Sequence, residues 1–319
     1  MSGNVIFGGI INTAVIETRD LSKIYGYGEN ETAAVDKLSL SVGKGEIVGI
    51  LGPNGSGKTT AMRMLAGIVF PTSGTVSLLG RQPNDLWVKA RIGYLPETLQ
   101  FRSSIRADEF LDFHAQLSGI GKDARSRRID EVLQTVGLIE NAQSRVRTFS
   151  KGMLQRIALA QAILHEPQLL FLDEPASALD PAGRRHLREL LLSMQERGAT
   201  IFINSHQLSE VEMICSRVGI MRRGRLIKID DLESMLKPVH QVDVKVTGLP
   251  ASSLAQIKKL AVKVVDKGGG VLTVSLRREE NVSELADIIV HSGAGLQEFT
   301  PRRQDLESAF LEEIEGVER

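Results

Sequence analysis

The sequence predicts an α/β chain built on a buried, largely parallel sheet, followed by a small α+β domain. Three observations carry this. Nearly unbroken apolar runs at residues 45–51 (GEIVGIL), 169–173 (LLFLD) and 200–204 (TIFIN) suit strands buried on both faces. The second and third runs each follow a helix-like segment, the succession expected of parallel strands with crossover helices. Around Pro238 the pattern shifts to short alternating strand and helix signals.

Taken in order, residues 1–13 are an N-terminal extension. Its apolar run at 5–11 (VIFGGII) has no Lys or Arg before it and no clean cleavage site after it, which argues against a signal peptide. Residues 14–20 (AVIETRD) and 36–42 (DKLSLSV) alternate apolar and polar side chains, as half-buried strands do, and predict an antiparallel β subdomain. Residues 26–32 read as a turn. The strand at 45–51 runs into a glycine-rich loop, and residues 59–67 then have helical spacing. Residues 98–165 read as an inserted helical subdomain, with Phe110, Leu111, Phe113, Leu117, Ile129, Val132, Leu133 and Val136 at helical spacing. The first domain spans 14–237. Residues 240–319 give strand, helix, strand, a Gly268-Gly269-Gly270 turn, strand, helix and strand, with a closing helix at 304–314. That β-α-β-β-α-β succession is ferredoxin-like in outline.

Composition narrows the function. The 319 residues suit about two domains. Thirty-nine basic residues balance thirty-nine acidic ones, whereas nucleic-acid binders usually carry a basic excess, so no nucleic-acid partner is expected. Aromatic content of 4% is too thin for a base-stacking platform. Cys215 is the sole cysteine, excluding an internal disulfide and a cysteine-rich zinc site and fitting a reducing compartment. No stretch approaches the roughly 20 apolar residues that span a bilayer. A membrane role would require docking on another protein.

Residues 52–59 (GPNGSGKT) fit G-x-x-x-x-G-K-[ST] between a predicted strand and a predicted helix. Glycines at 52, 55 and 57 let backbone N–H groups, together with those of Asn54 and Ser56, crowd around phosphate oxygens. The helix that follows, with Thr60 in its first turn, aims its positive end at the same oxygens. Lys58 would reach the β- and γ-phosphates, and the Thr59 hydroxyl would meet Mg²⁺. The chain therefore reads as a P-loop NTPase with a RecA-like core. Downstream, Asp173 ends a buried strand, where it can orient Mg²⁺ through water. Glu174, expected by strand alternation to face the other side, can polarise a water for in-line attack on the γ-phosphate.

With these motifs in order, the chain resembles the ATP-binding subunit of an ABC transporter over residues 14–236. Residues 149–153 (FSKGM) stand where that family has its signature, and the resemblance implies that Ser150 and Gly152 contact the γ-phosphate of ATP on a second subunit. Asp180, in residues 177–180 (SALD), matches the D-loop and implies another contact across the dimer. His206 matches the switch histidine that senses the γ-phosphate, and Tyr25 the aromatic residue that stacks on adenine. After G-Y-x-P, where many members have glutamine, this chain has Glu97; a carboxylate can still ligate Mg²⁺ but donates no hydrogen bond when ionised. Lys151 and Met153 depart from the usual signature, a variation that resembles separate ATPase subunits paired with small export-type permeases. The expected cofactors are ATP and Mg²⁺. The expected partners are a transmembrane permease, received near residues 98–110, and a second ATP-binding subunit. Intact motifs on both faces permit a homodimer and leave a heterodimer open. The expected location is peripheral, on the cytoplasmic face of a membrane.

Two architectures are excluded. No long coiled coil separates Lys58 from Ser150, as in DNA-repair and chromosome ATPases, and only one cassette is present, unlike translation-associated members. The competing reading is an ATP-driven switch acting on a soluble or nucleic-acid partner. The C-terminal pattern resembles the accessory domain found after many export-type ATPase subunits.

Overall fold

The structure, a computed structural model, describes residues 14–98, 104–236, 238–278, 281–303 and 306–316. The N-terminal extension at 1–13, and residues 99–103 of the segment expected to receive a permease, lie outside the described residues. The chain divides into two compact units, 1–232 and 233–319. The sequence places the boundary between domains at 237–240, and the first long strand of the second unit opens at Pro238.

In the first unit, β1 (Ala14–Tyr25) and β2 (Thr32–Gly43) are antiparallel strands. The fully buried β3 (Ile47–Leu51) leads through the glycine-rich loop into α1 (Lys58–Leu65). Next come β4 (Ser73–Leu78), α2 (Leu86–Lys89) and β5 (Ile92–Leu95). The helical insert consists of α3 (Ala107–Leu117), α4 (Lys122–Thr135) and α5 (Lys151–Ile163). Then β6 (Leu169–Asp173), α6 (Pro181–Glu196), β7 (Thr200–Asn204), α7 (Leu208–Ile214), β8 (Arg217–Arg222) and β9 (Arg225–Asp231) follow, and the chain passes from the first unit to the second within α8 (Leu232–Met235).

These strands form two sheets, a six-stranded one in the order β5-β6-β7-β3-β8-β9 and a three-stranded one in the order β2-β1-β4. The large sheet is parallel except for β9. Every residue of β3, β6 and β7 is buried, so their apolar runs lack strand alternation because both faces are covered. Phe171 and Phe202 meet edge to face at 5.9 Å between adjacent strands. The small sheet shares its core with α1 and the large sheet through Ile16, Leu38, Met62, Leu65 and Phe171.

Parallel order has a direct consequence for the site. The loops that leave β6, β7 and β3 emerge from the same edge of three adjacent strands, where ligands bind in open α/β sheets.

The second unit contains β10 (Pro238–Thr247), α9 (Ala251–Leu260), β11 (Ala261–Asp266), β12 (Val271–Leu276), α10 (Asn281–His291), β13 (Gly295–Arg303) and α11 (Leu306–Gly316). Its strands pair in the order β11-β12-β10-β13, antiparallel throughout, which is the split βαβ arrangement. Val242, Val244, Leu272 and Val274 pack with Ile257, Leu285 and Ile289 of the helices. The opposite sheet face is polar, and there Asp243 accepts from Thr273 Oγ1 (2.5 Å) and Arg302 Nε (2.6 Å).

Candidate nucleotide site

The loop between β3 and α1 is shaped by glycine. Gly57 adopts φ 101° as the N-cap of α1, and a Cβ there would collide with the Ala34 carbonyl. Gly55, at φ 78°, has no atom within 4 Å of where a Cβ would project, so that side of the loop is open. No side chain caps α1 and no acidic residue sits in its first turn. Its N–H groups and the positive end of its dipole are therefore left for an anion. Lys58 Nζ donates to the carbonyls of Gly52 (2.7 Å) and Pro53 (3.1 Å). Burial pushes this ammonium below its usual range, while Glu174, Asp173 and Glu97 pull it back up. Ser56 Oγ is buried without a partner. Thr60 follows Thr59 on α1.

Asp173 is completely buried at the end of β6. Its Oδ1 accepts from Thr59 Oγ1 at 3.4 Å and from Asn204 Nδ2, while its Oδ2 has no partner. Burial raises its pKa, and the Asn204 and Thr59 hydrogen bonds oppose that rise.

Glu174 departs from the expectation that alternation would turn it to the opposite side from Asp173. Its φ is 53°, outside the extended region, so the two-residue period stops at Asp173, and both carboxylates act on Lys58. A left-handed residue with a Cβ costs about 1–2 kcal/mol. Here the turn is tied down from several directions: Glu174 N–H donates to the Asn204 carbonyl at 2.8 Å, and the Glu174 carbonyl accepts from Ser177 Oγ at 3.0 Å. His206, just beyond β7, places Nδ1 2.7 Å from Glu174 Oε2 with its side chain 59% exposed.

Lys58, Thr59, Asp173, Glu174 and His206 thus converge on one sheet edge, with Glu97 near enough to act on both Lys58 and Asp173. Three carboxylates lie near enough to act on one ammonium, and two buried carboxylate oxygens, Asp173 Oδ2 and Glu174 Oε2, make no hydrogen bond. That donor set fits Mg²⁺, which takes one or two protein oxygens together with phosphate oxygens and water. Among the described residues no three His, Cys, Asp or Glu side chains form a complete protein cage for a metal.

The remaining candidates occupy other elements. Tyr25, 43% exposed, ends β1 with Lys23 Nζ 5.2 Å from its ring centroid. Ser150 is the N-cap of α5, its Oγ accepting from Met153 N–H at 3.3 Å. Gly152 lies in the first turn of α5, where an added Cβ would come within 3.2 Å of the Ala178 carbonyl oxygen. Asp180 caps α6, accepting from Gly183 N–H at 2.9 Å.

Two residues of the site went unread in the sequence. Asn204 is paired in register with Asp173, and its signal was an amide ending an otherwise apolar strand (TIFIN). Gln155 is 4% exposed on α5 and bonds the turn after Asp173; its signal was a polar residue on a helix face otherwise filled by Ala158, Leu159 and Ala162.

A model of the ABC transporter family matches residues 35–177. An uncharacterised ABC transporter ATP-binding protein of Synechocystis sp. is 38% identical over 309 residues, covering 95% of this chain and 86% of the relative. The bacitracin transport ATP-binding protein BcrA of Enterococcus faecalis is 35% identical, covering 95% of this chain and 97% of the relative. A solved dimeric ATP-binding cassette in a post-hydrolysis state, bound to ADP and Pi, superposes with a TM-score of 0.64 at 25% identity, over 68% of this chain and 98% of that one. None of the described helices is long and apolar enough to cross a membrane. The phosphate loop, the buried acid pair and relatives that match nearly end to end lead to one assignment: the chain belongs to the ABC transporter family as an ATP-binding subunit, an ATPase that powers transport.

Proposed function

We propose that two copies close head to tail on two ATP molecules and that closure drives a separate permease, most simply an exporter, from the cytoplasmic face of a membrane. Within each copy, residues 52–57 and the N-terminus of α1 cradle the phosphates, Lys58 meets the β- and γ-phosphates, and Tyr25 stacks on adenine. Thr59 and Asp173 hold Mg²⁺, with Glu97 as a further oxygen donor; the ion, when bound, neutralises charge on the phosphate oxygens. Glu174 takes the proton of the attacking water, and His206, in contact with it, senses the γ-phosphate. Ser150, Gly152 and Asp180 complete the site of the other copy. Docking of the permease is supported by a groove whose lining includes Met64, Val69, Phe70, Val76 and Pro83, with Phe70 72% exposed; these residues lie outside the 98–110 segment that the sequence suggested. Export is supported by the variant signature and by the end-to-end match to a protein named for bacitracin transport.

The observation that carries this reading is a carboxylate held in a strained turn, touching a histidine and facing a buried lysine beside an open helix end. Replacing Glu174 by Gln removes the proton acceptor and keeps the shape. ATP binding should persist, turnover should fall by about 10² or more, and the nucleotide-bound dimer should accumulate on size exclusion. Turnover at the parent rate would overturn the assignment of the base.

A further inference from the structure

We infer that Gln155 is a positioning residue for hydrolysis, its side-chain amide holding the turn that carries Glu174. The inference rests on the reading of Glu174 as the base. Gln155 Nε2 lies 3.1 Å from the Pro175 carbonyl and 3.4 Å from the Glu174 carbonyl. Both partners can only accept, so it is the amide nitrogen that faces them. The side chain is 4% exposed among apolar neighbours on α5, where leucine or methionine would fill the same volume without burying an amide. A donor retained there serves the two carbonyls it meets. Those carbonyls belong to the residue with φ 53° and to the proline after it, so the contact fixes the direction in which the Glu174 side chain leaves the backbone. Ser177 Oγ donates to the same Glu174 carbonyl at 3.0 Å.

Gln155 also shares its helix with Ser150, the cap residue of α5. In a head-to-tail dimer, Ser150 would serve the neighbour's nucleotide while Gln155 serves the base of its own chain. This separation provides the test. Full-length chains are combined in mixed dimers in which one copy carries E174Q, leaving a single working site, and Q155M is placed either in the copy with intact Glu174 or in the E174Q copy. Placed beside the intact Glu174, Q155M should lower kcat about ten-fold or more and leave KM for ATP within about two-fold. Placed in the E174Q copy, it should leave kcat within about two-fold of the parent mixed dimer. Equal losses in both placements, loss only in the E174Q copy, or no loss in either would overturn the proposal. Thermal melting and ATP binding check that Q155M folds; if it does not, Q155E, similar in size but without donors when ionised, is read the same way. Undiminished hydrolysis by a dimer with E174Q in both copies would instead sink the assignment of Glu174, separately from Gln155.

Discussion

The starts of α1 and of α5 confront the same deficit, a first turn of N–H groups with no partner inside the helix. At α5, Ser150 Oγ accepts from Met153 N–H, and at α6 Asp180 does the same for Gly183. At α1 the cap is Gly57 in the left-handed region, with no side chain to offer. One helix end is left open by its sequence and two are closed by theirs. An open end is a site for an external anion, whereas a closed end must serve the helix first. The two closed ends also differ from each other. A serine hydroxyl can accept from Met153 and still donate its proton to a phosphate oxygen, but the Asp180 carboxylate can only accept. Any contact it made with a second copy would therefore be to a donor.

Closing the open end should have the largest effect. Gly57→Ala puts a Cβ against the Ala34 carbonyl at a φ that side chains disfavour, and strain and overpacking together should cost roughly 3 kcal/mol. Urea unfolding should report that loss, and calorimetry should find ATP binding abolished under conditions where the protein is still folded. Parent-like affinity with parent-like stability would show that the left-handed glycine is not what builds the cradle.

A smaller change separates capping from contact at α5. Ser150→Ala should cost about 1 kcal/mol of stability, and Ser150→Gly only a few tenths, because glycine is itself a tolerable cap. Both lack the hydroxyl. If Ser150 acts on a neighbour's nucleotide, the two variants should lose turnover equally despite their different melting temperatures. Turnover that tracks stability across the pair would reduce Ser150 to a cap.

The contrast between helix ends was partly legible in the sequence. Residues 52–59 and the apolar run ending in Asp173-Glu174 are local patterns, and local patterns can be read without knowing the fold. Ser150 could be read as a cap for the same reason. Asn204 and Gln155 could not, since each acts through a contact between elements far apart in the chain. Glu174 was misdirected because strand alternation was extended one residue past the end of β6, where φ changes sign. The strands β4, β5 and β9 are short or half-buried and give periodicity little to show, while the apolar run of β8 is broken by Gly219 and bounded by Arg217 and Arg222. In the second unit the succession of elements was visible, but the pairing order β11-β12-β10-β13 depends on which edges meet, which no local run encodes.

The smallest expected effect concerns a second carboxylate cap, at the start of α2. Asp85 closes α2 by accepting from Trp87 N–H at 2.7 Å, and this bond, aided by Arg81, holds its carboxyl below the usual 3.8. A carboxylate whose folded pKa is depressed contributes fully above the unfolded value, and its contribution fades as pH falls through the lower folded value. The loss should therefore be confined to pH below about 4. Trp87 reports it directly, being the only tryptophan in the chain, with Arg91 4.0 Å and Arg81 4.6 Å from its ring. Its emission should be flat from neutral pH down to about 5 and shift only below that. Asn caps about as well and does not titrate, so Asp85→Asn should match the parent at neutral pH and lack the acid step. An identical acid step in both proteins would mean that general acid unfolding, not loss of this cap, moves the indole. Ser150 and Gly57 carry no titrating cap, so this acid dependence belongs to α2 and should be absent from α1 and α5.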